Sequence, residues 1–519
     1  MGGQPLYILA ESSRRTHGRD AQSSNIMAGK AVAEAVRTTL GPRGMDKMLV
    51  DSSGTVVITN DGATILQEMD IEHPAAQMIV EVAQTQEDEV GDGTTTAAVL
   101  AGHLLAQAED LLESDVHPTT IVEGYHEAAQ IALAAIDEMV LDLEMNDETL
   151  HNVAESSMTG KGTGGLTADQ LAKTVVEAIR HVEDDGEVER DDVRIHTKVG
   201  ASSNATELVE GIIIDEEPVH DSMPRHVEDA TILCIDMDLE VRKTDVDTQY
   251  RIDTIEQLNA AMEAEESELR GYAKTIADSK VDVVFSTDKI DKRVASFLAD
   301  EGVLAVEKLS NKDARSIARA VGAKRLGSLE DLDSADFGHA DSIRVDRFGD
   351  EELTFIEGGA AAKAVTIFVR GGTEHVVDEL ERALNDALDV VSVAIESEEL
   401  VYGAGAAEIG IADAVRRAAA GIEGRKQLAV EAFADAVDVI PRTLAENTGM
   451  DPIDALVALR AAHESGDVMG IISEGETGTI TDPSKYGILD PADVKREAVE
   501  SATEAATMIV RIDDIIAAK

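Results

Sequence analysis

Hydrophobic residues change their spacing twice along this chain of 519 residues. From about residue 22 to about residue 180 they recur every three or four positions in Ala-rich segments, a period that predicts amphipathic helices. Short apolar runs between these segments, the second of which ends at the turn signal Asn60-Asp61-Gly62, are typical of strands. The helices are predicted at 28–40, 75–90, 94–113 and 119–143, and the strands at 48–51 and 56–59.

The middle of the chain, roughly 211–368, follows a different pattern. Apolar runs rich in β-branched residues alternate there with helical segments, which predicts a largely parallel sheet with crossover helices. Two further strands on either side of Phe348-Gly349-Asp350 predict a hairpin. The strands are predicted at 230–235, 281–286, 303–309, 342–347 and 352–357, and the helices at 254–276, 292–301 and 313–321.

The helical period returns from about residue 374 onward. Apolar residues from Val376 to Val391 fall on one face of a helix, and 427–444 and 492–509 have the same character. The two helical zones resemble each other more than either resembles the middle. We therefore expect both chain ends to fold together into one mostly helical domain of a multidomain α/β protein, with the α/β segment inserted between them.

Acidic residues outnumber basic ones along the whole chain, with 103 Asp and Glu against 45 Lys and Arg and a net charge of -58 at pH 7. A nucleic-acid-binding face needs a basic patch and usually aromatic rings, but aromatic residues make up only 3% of this chain and Trp is absent. We therefore expect no nucleic-acid partner. A uniformly acidic surface suits a cytoplasm of molar salt, where repulsion is screened over about 3 Å, so the composition indicates a halophile.

Apolar runs stay shorter than the roughly 18 residues that a membrane span needs, and residues 1–14 lack the apolar core of a signal peptide. A cytoplasmic protein without a membrane partner is expected. Cys234 is the only cysteine, which excludes an internal disulfide or a multi-cysteine metal site, and its apolar neighbours predict a core position. The 13 histidines show no spacing typical of metal ligands.

The segment EVGDGTTTAAVLAG at 89–102 predicts an anion-binding site. Gly91 and Gly93 let backbone N–H groups approach a ligand, and the helix that follows directs the positive end of its dipole the same way. The three threonines after Gly93 add hydroxyl groups. Asp92 then has two interpretations: a ligand of Mg²⁺ that also binds phosphate oxygens, or a cap of the following helix. Spacing alone leaves both open.

Four other polar residues have a plain structural interpretation beside a chemical one. Asp61 lies in a turn signal, and Asp386 lies off the apolar stripe of its helix, where a solvated position is favoured. Asp490, followed by proline, matches the start of a helix. Lys161 lies among glycines, where a lysine either reaches a phosphate or makes a linker soluble. The sequence pattern leaves these alternatives open.

Long strings in a fixed order carry a family resemblance. TTLGPRGMDKMLVD at 38–51, the segment 56–102, IPRTLAENTGMDPIDALVALRAAH at 440–463 and SATEAATMIVRIDDIIA at 501–517 resemble the group II chaperonins, the archaeal thermosome family. The resemblance extends over essentially the whole chain. The domains it implies are an equatorial ATPase domain at 1–145 and 403–519, an intermediate hinge domain at 146–213 and 370–402, and an apical domain at 214–369 with a built-in lid around 239–271.

An ATP-dependent chaperonin subunit is the function that this resemblance implies. Such proteins enclose non-native polypeptides in a stacked double ring of identical or paralogous subunits, and the built-in lid replaces a separate co-chaperonin. An alternative is a nucleotide-bound ring that acts as a holdase or scaffold without productive ATP cycling. A monomeric phosphate-transfer enzyme is a further alternative.

The resemblance also implies roles for individual residues. Asp92 would bind Mg²⁺, and Asp386 and Asp61 would position and activate the attacking water. The nucleotide contacts that it implies are Leu40, Gly41, Pro42, Gly93, Thr94, Thr95, Thr96, Lys161, Gly405 and Asp490. The family commonly has three successive glycines where this chain reads Gly403-Ala404-Gly405, so the chain carries one added methyl group where the backbone approaches the nucleotide.

Overall fold

The computed structural model describes residues 14–161, 166–184, 186–241, 255–330, 332–361, 363–475 and 477–517. These residues separate into two compact units. The terminal unit combines the residues up to Val176 with those from Asp378 onward, and the inserted unit covers Glu177–Val377. The predicted fold class, a multidomain α/β protein, is confirmed. The finer boundaries of the three predicted domains stay a prediction.

The helices of the described residues follow in chain order. They are α1 (Arg19–Arg37), α2 (Gly62–Glu68), α3 (Pro74–Val90), α4 (Thr94–Glu113), α5 (Pro118–Met139), α6 (Asp147–Met158), α7 (Ala168–Val182), α8 (Ile255–Asp278), α9 (Lys292–Asp300), α10 (Asn311–Val321), α11 (Glu374–Ser397), α12 (Ala406–Ala419), α13 (Lys426–Val437), α14 (Val439–Asn447), α15 (Pro452–Glu464) and α16 (Ala492–Val510). In the part of the chain that the structure describes, no helix combines the length and the apolar character that a membrane crossing requires.

The strands follow in the same order. They are β1 (Arg14–His17), β2 (Lys47–Val50), β3 (Val56–Thr59), β4 (Val193–Val199), β5 (Glu207–Val209), β6 (Gly211–Ile214), β7 (His226–Ile235), β8 (Val283–Ser286), β9 (Leu304–Val306), β10 (Arg325–Leu326), β11 (Gly338–Phe348), β12 (Glu351–Gly359), β13 (Val365–Gly371), β14 (Leu400–Tyr402), β15 (Gly470–Glu474), β16 (Thr477–Thr481), β17 (Leu489–Pro491) and β18 (Asp514–Ala517).

Helix α4 is the centre of the terminal unit. It contacts α1 and α3 from the first part of the chain and α13 and α16 from the last part. Its residues are small or apolar on nearly every side, as expected for a helix surrounded by other helices. Gly102 allows α1 to approach closely, because a side chain there would collide with Ala33. The two ends of the chain therefore share one hydrophobic core, as predicted.

Short two-stranded ladders complete the terminal unit. β1 pairs antiparallel with β18, β2 with β3, β14 with β17, and β15 with β16. The β14–β17 pairing sets Val401 opposite Asp490. This register brings Gly403, just after β14, against the Asp490 carboxylate, since a Cβ on Gly403 would lie 2.8 Å from its Oδ2 atom. The ladder thus positions a residue of the candidate site.

The inserted unit is built on a mixed sheet with the strand order β6-β12-β11-β7-β8-β9, in which β10 also pairs with β7. The largely parallel sheet that we predicted is correct for β7, β8, β9 and β10. It is wrong for β6, β11 and β12, which pair antiparallel. The predicted hairpin is present as β11 and β12, and Cys234 is buried in the core as expected.

The predicted helix at 427–444 is in fact two helices, α13 and α14, with Asp438 between them. Pro441 lacks an N–H group and its ring clashes with the carbonyl of the residue four positions earlier, which interrupts a helix. The Asp438 carboxylate is buried at the break and forms ion pairs with Arg416 and Arg460. Of the predicted lid around 239–271, residues 242–254 lie outside the described residues.

Candidate functional site

A cavity of about 280 Å³ lies beside the start of α4 in the terminal unit. Its walls come from the loop after α1, the turn before α2, the bend between α3 and α4, the end of α6, and the starts of α12 and α16. Every predicted site residue except Asp386 lines this cavity: Leu40, Gly41, Pro42, Asp61, Asp92, Gly93, Thr94, Thr95, Thr96, Lys161, Gly405 and Asp490. Segments far apart in the sequence therefore meet where the motifs predicted a site.

The bend between α3 and α4 presents backbone N–H groups to the cavity. Gly91 ends α3 with φ 68° and Gly93 precedes α4 with φ 81°, conformations that favour glycine. A Cβ on Gly93 would also lie 2.9 Å from the amide nitrogen of Gln86. Among the described residues, no side chain caps the start of α4. The first N–H groups of this helix are therefore available to an anion.

Asp92 lies between these two glycines. The interpretation of Asp92 as a helix cap is wrong, because the N-cap of α4 is Gly93. Burial raises the pKa of the Asp92 carboxyl, and the Lys161 ammonium opposes that effect. The described residues contain no group of three or more His, Cys, Asp or Glu side chains that could hold a metal ion. Asp92 therefore suits Mg²⁺ only in combination with phosphate oxygens, a ligand set that this ion commonly takes.

Asp61 caps helix α2 and lies beside the bend between α3 and α4. Its carboxylate accepts a hydrogen bond from the backbone N–H of Thr64 at 2.6 Å and one from the hydroxyl of Thr94 at 3.3 Å. Gly62 allows this close approach, because a Cβ there would lie 2.9 Å from the backbone nitrogen of Thr95. The turn interpretation is correct for the backbone, and the same turn places a fixed carboxylate in the cavity.

Asp386 lies on α11 and is only 5% exposed, so the expected solvated position is wrong. Its carboxylate forms an ion pair with Lys161, a mostly buried side chain that lines the cavity. Burial raises the pKa of Asp386 to about 7, although Lys161 favours the ionised form. Burial lowers the pKa of Lys161, but Asp386 and Asp92 outweigh it and hold the pKa above its ordinary value. Lys161 is therefore a fixed cation within the site.

Glu87 on α3 is a carboxyl that sequence reasoning missed. Burial is the main cause that raises its pKa to about 9, and the charges of Asp386 and Asp61 add to it. Burial and the neighbouring carboxylates therefore both favour the neutral form of Glu87. It gave no signal in the sequence, because Glu87, Asp88 and Glu89 form one acidic run of the kind that usually covers a solvated helix end.

Asp490 belongs to β17, and the N-cap of α16 is Pro491. The expected capping role of Asp490 is therefore wrong, because pairing with β14 holds the residue in an extended strand. The ammonium of Lys495 lies 2.7 Å from Oδ2 of Asp490 and 2.9 Å from Oε1 of Glu408. Lys495 and Glu408 also line the cavity. Sequence reasoning missed both, although a single charge in the apolar start of α12 was a usable signal for Glu408.

Ala404, which lies between Gly403 and Gly405, lines the cavity. Its φ of 58° lies in the left-handed region, which is unfavourable for a residue with a Cβ by about 1–2 kcal/mol. The backbone keeps this conformation because the carbonyl of Ala404 accepts a hydrogen bond from the N–H of Ile471 at 2.9 Å. The added methyl group therefore leaves the turn intact and strains it.

Ala404→Gly is expected to stabilise the protein by about 0.5–1 kcal/mol, because relief of the strain exceeds the added freedom of glycine in the unfolded chain. The thermal unfolding midpoint should rise by about 1–3 °C at fixed salt and protein concentration. Ala414→Gly on α12 is the matched control and should lower the midpoint, since a helix disfavours glycine. A lower midpoint for Ala404→Gly would show that the turn is not strained.

Comparison with known proteins identifies the family. The family model described as the TCP-1/cpn60 chaperonin family matches residues 32–519. The chain belongs to the TCP-1/cpn60 chaperonin family. Thermosome subunit 3 of Haloferax volcanii is 69% identical to this chaperonin over 518 residues, which is 99% of both chains. Thermosome subunit alpha of Halobacterium salinarum is 50% identical over 100% of this chaperonin and 92% of its own chain.

A further relative, the thermosome subunit of Methanopyrus kandleri, is 50% identical over 100% of this chaperonin and 95% of its own chain. The resemblance to the archaeal thermosomes that the motifs predicted is confirmed. This chaperonin is thus a group II member with a role in protein folding. Relatives from halophilic archaea agree with its acidic composition.

Proposed function

We propose that this chaperonin hydrolyses ATP in the cavity beside α4 and uses the turnover to fold non-native proteins inside a closed chamber. The observation that supports the proposal is the meeting of an uncapped helix start, a buried cation and several carboxylates in one cavity. Phosphoryl transfer depends mainly on positioning and on charge stabilisation, and these groups supply both. The proposed site residues are those that the motifs predicted.

The start of α4 would hold the phosphates, because its free N–H groups and the hydroxyls of the threonine run face the cavity. Mg²⁺ bound to Asp92 and the phosphates would neutralise charge that develops on the phosphate oxygens. Asp61 and Asp386 would accept hydrogen bonds from the attacking water and aim it. Lys161 would exchange part of its contact with Asp386 for the terminal phosphate, so that its position reports whether that phosphate is present.

Coupling between chemistry and movement would run through α11. This helix carries Asp386, and it belongs to the segment 370–402 that we assign to the intermediate hinge domain. A change of the contacts of Asp386 after hydrolysis would therefore act directly on a long rigid element. We propose that this movement closes the built-in lid around 239–271 over a chamber, without a separate co-chaperonin.

We also propose a stacked double ring in the cytoplasm, made of this subunit alone or together with paralogues. Support for paralogues comes from Haloferax volcanii, whose relatives of this chain carry the names thermosome subunit 3 and thermosome subunit 1. The clients would be non-native polypeptides, and we propose no nucleic-acid or membrane partner. Particle images and the native mass in high salt test this assembly, and a monomer in solution would contradict it.

A holdase or scaffold ring without productive ATP cycling is the second candidate function. The observation that favours it is the strained Ala404 in the cavity wall, whose methyl group occupies space that glycine would leave free. Refolding of a denatured client separates the two functions. The ATPase function requires a higher yield with ATP than with a non-hydrolysable analogue, whereas equal yields would favour the holdase.

The pH profile of hydrolysis should follow Asp386, which must be ionised to accept a hydrogen bond from water. Since burial raises its pKa to about 7, protonation removes the active form as the pH falls through that value. The value of kcat/KM for ATP, which reports groups of the free enzyme, should therefore decrease about tenfold per pH unit well below about pH 6.5 and level off above about pH 8. Phosphate release measured across this range checks the prediction, and a flat profile would contradict it.

A further inference from the structure

Three charged side chains form a cluster in the cavity wall, and two of them, Lys495 and Glu408, have no role in the proposed hydrolysis. Lys495 lies between Glu408 and Asp490, at 2.9 Å and 2.7 Å from their oxygens. The side chains of Lys495 and Glu408 are 12% and 5% exposed, whereas that of Asp490 is 24% exposed. Asp490 is therefore the member of the cluster that a ligand in the cavity can reach most easily.

The buried pair is held in place from two helices. Glu408 lies in the first turn of α12, where the helix dipole favours a negative charge. Lys495 lies in the first turn of α16, where the dipole disfavours a positive charge, so this ammonium depends on its two carboxylates. Burial lowers the pKa of Lys495, but Asp490 and Glu408 outweigh it and hold the pKa above its ordinary value. Lys495 is therefore charged in the folded protein.

The Asp490 carboxylate is held by an ion pair on a paired strand, and its close neighbour Gly403 leaves room for it. Lys495 holds the oxygen Oδ2, and the backbone pairing with Val401 holds the main chain. Gly403 lies beneath the carboxylate, where a Cβ would lie 2.8 Å from Oδ2 and 3.0 Å from Oδ1. Because Lys495 engages Oδ2, the other oxygen is left to accept hydrogen bonds from a ligand. A carboxylate fixed in this way is suited to the paired hydroxyl groups of a ribose.

We propose that Lys495, itself anchored by Glu408, is a positioning residue that orients Asp490 so that the site selects ribonucleotides over nucleotides that lack the ribose hydroxyls. The inference rests on the proposed ATPase function and adds the sugar specificity of the same site. Lys495 acts through Asp490 and does not itself contact the sugar. A freely rotating Asp490 would still accept hydrogen bonds. It would lose the fixed geometry that increases the affinity for a ligand with two adjacent hydroxyl groups.

The test compares the affinities of ATP and 2′,3′-dideoxy-ATP by calorimetry at high salt. A hydrogen bond to a charged group is worth about a tenfold change in affinity or more, so the wild type should bind the dideoxy analogue at least about tenfold more weakly than ATP. Lys495→Met alone would leave Glu408 buried without a cation and endanger folding. The double variant Glu408→Gln with Lys495→Met removes both buried charges and keeps similar side-chain volumes.

The double variant should reduce the preference for ATP over the dideoxy analogue to below about threefold, mainly because its affinity for ATP decreases. Lys485→Met, on an exposed side chain outside the cavity, is the matched control for the loss of one positive charge and should keep the wild-type preference. The unfolding midpoint and the particle size establish that each variant is folded. Lys495→Arg, which keeps the charge, should retain most of the preference.

Two results would overturn the proposal. A folded double variant that keeps the tenfold preference would show that Asp490 needs no positioning by Lys495. An equal loss of affinity for both nucleotides would show that Lys495 attracts the phosphates and does not act through Asp490. By contrast, a wild type that binds no ATP at all would refute the proposed function itself, so the two failures are distinguishable.

Discussion

Asp386→Asn should lower the rate of ATP hydrolysis at saturating ATP by about 10²–10⁴-fold while ATP binding stays close to that of the wild type. The reason is that asparagine keeps the volume of the buried side chain but cannot accept a proton or aim the attacking water as a carboxylate does. The retained Lys161 keeps the site attractive to phosphate. Phosphate release and calorimetric ATP binding, measured on the same preparation, separate the two effects.

Glu396→Gln is the matched control for this experiment, because Glu396 lies on the same helix and is exposed. It should hydrolyse ATP at the wild-type rate. The Asp386→Asn variant should also fail to raise the yield of a refolded client when ATP is added. Hydrolysis by Asp386→Asn at the wild-type rate would remove Asp386 from the proposed mechanism.

Asp92→Asn should lower kcat/KM for ATP by about 10²–10³-fold and raise the Mg²⁺ concentration needed for half-maximal rate. The substitution removes the carboxylate that lies between the two left-handed glycines, and metal coordination to phosphate is worth several kcal/mol in such reactions. A Mg²⁺ titration of the hydrolysis rate at fixed ATP measures both quantities. The start of α4 is unchanged in this variant, because Asp92 does not cap it.

Asp88→Asn provides the comparison for Asp92→Asn, since Asp88 is an exposed acid on the neighbouring turn of α3 and carries the same charge. Its Mg²⁺ titration should match that of the wild type. If Asp92→Asn gave the same titration curve as Asp88→Asn, the metal role of Asp92 would have to be abandoned, and its burial beside the bend would need another explanation.

The sequence predicted the elements well where the hydrophobic period was long, as for α4, and less well at 427–444, where the helix is interrupted. The hydrophobic period continues through this segment, but Pro441 interrupts the helix, and the buried Asp438 at the break pairs with Arg416 and Arg460 from other helices. The mixed sheet of the inserted unit was missed in part for a different reason. Strand–helix alternation indicates parallel neighbours, but it does not indicate that β6, β11 and β12 join the same sheet by antiparallel pairing.

In the candidate site too, the sequence pattern predicted local features but not contacts between distant segments. The glycine bend around Asp92 could be recognised from local spacing, because helix dipoles and glycine conformations are local properties. The burial of Asp386 could not be recognised in this way, because the spacing favoured a solvated helix face and its partner Lys161 lies more than 200 residues away. The cluster of Lys495 with Glu408 likewise depends on the packing of two helices beside a short ladder, which no periodicity encodes.

The shared core of the two chain ends determines when it can form during synthesis. Helix α4 is complete once residue 113 has been made, but its neighbour α16 does not exist until residues 492–510 have left the ribosome. Every strand and helix between Glu177 and Val377 is available long before that. The cavity, whose wall includes Asp490 and Lys495, can therefore close only after residues 492–510 have been made, so a nascent chain that lacks them should not hydrolyse ATP by the proposed mechanism.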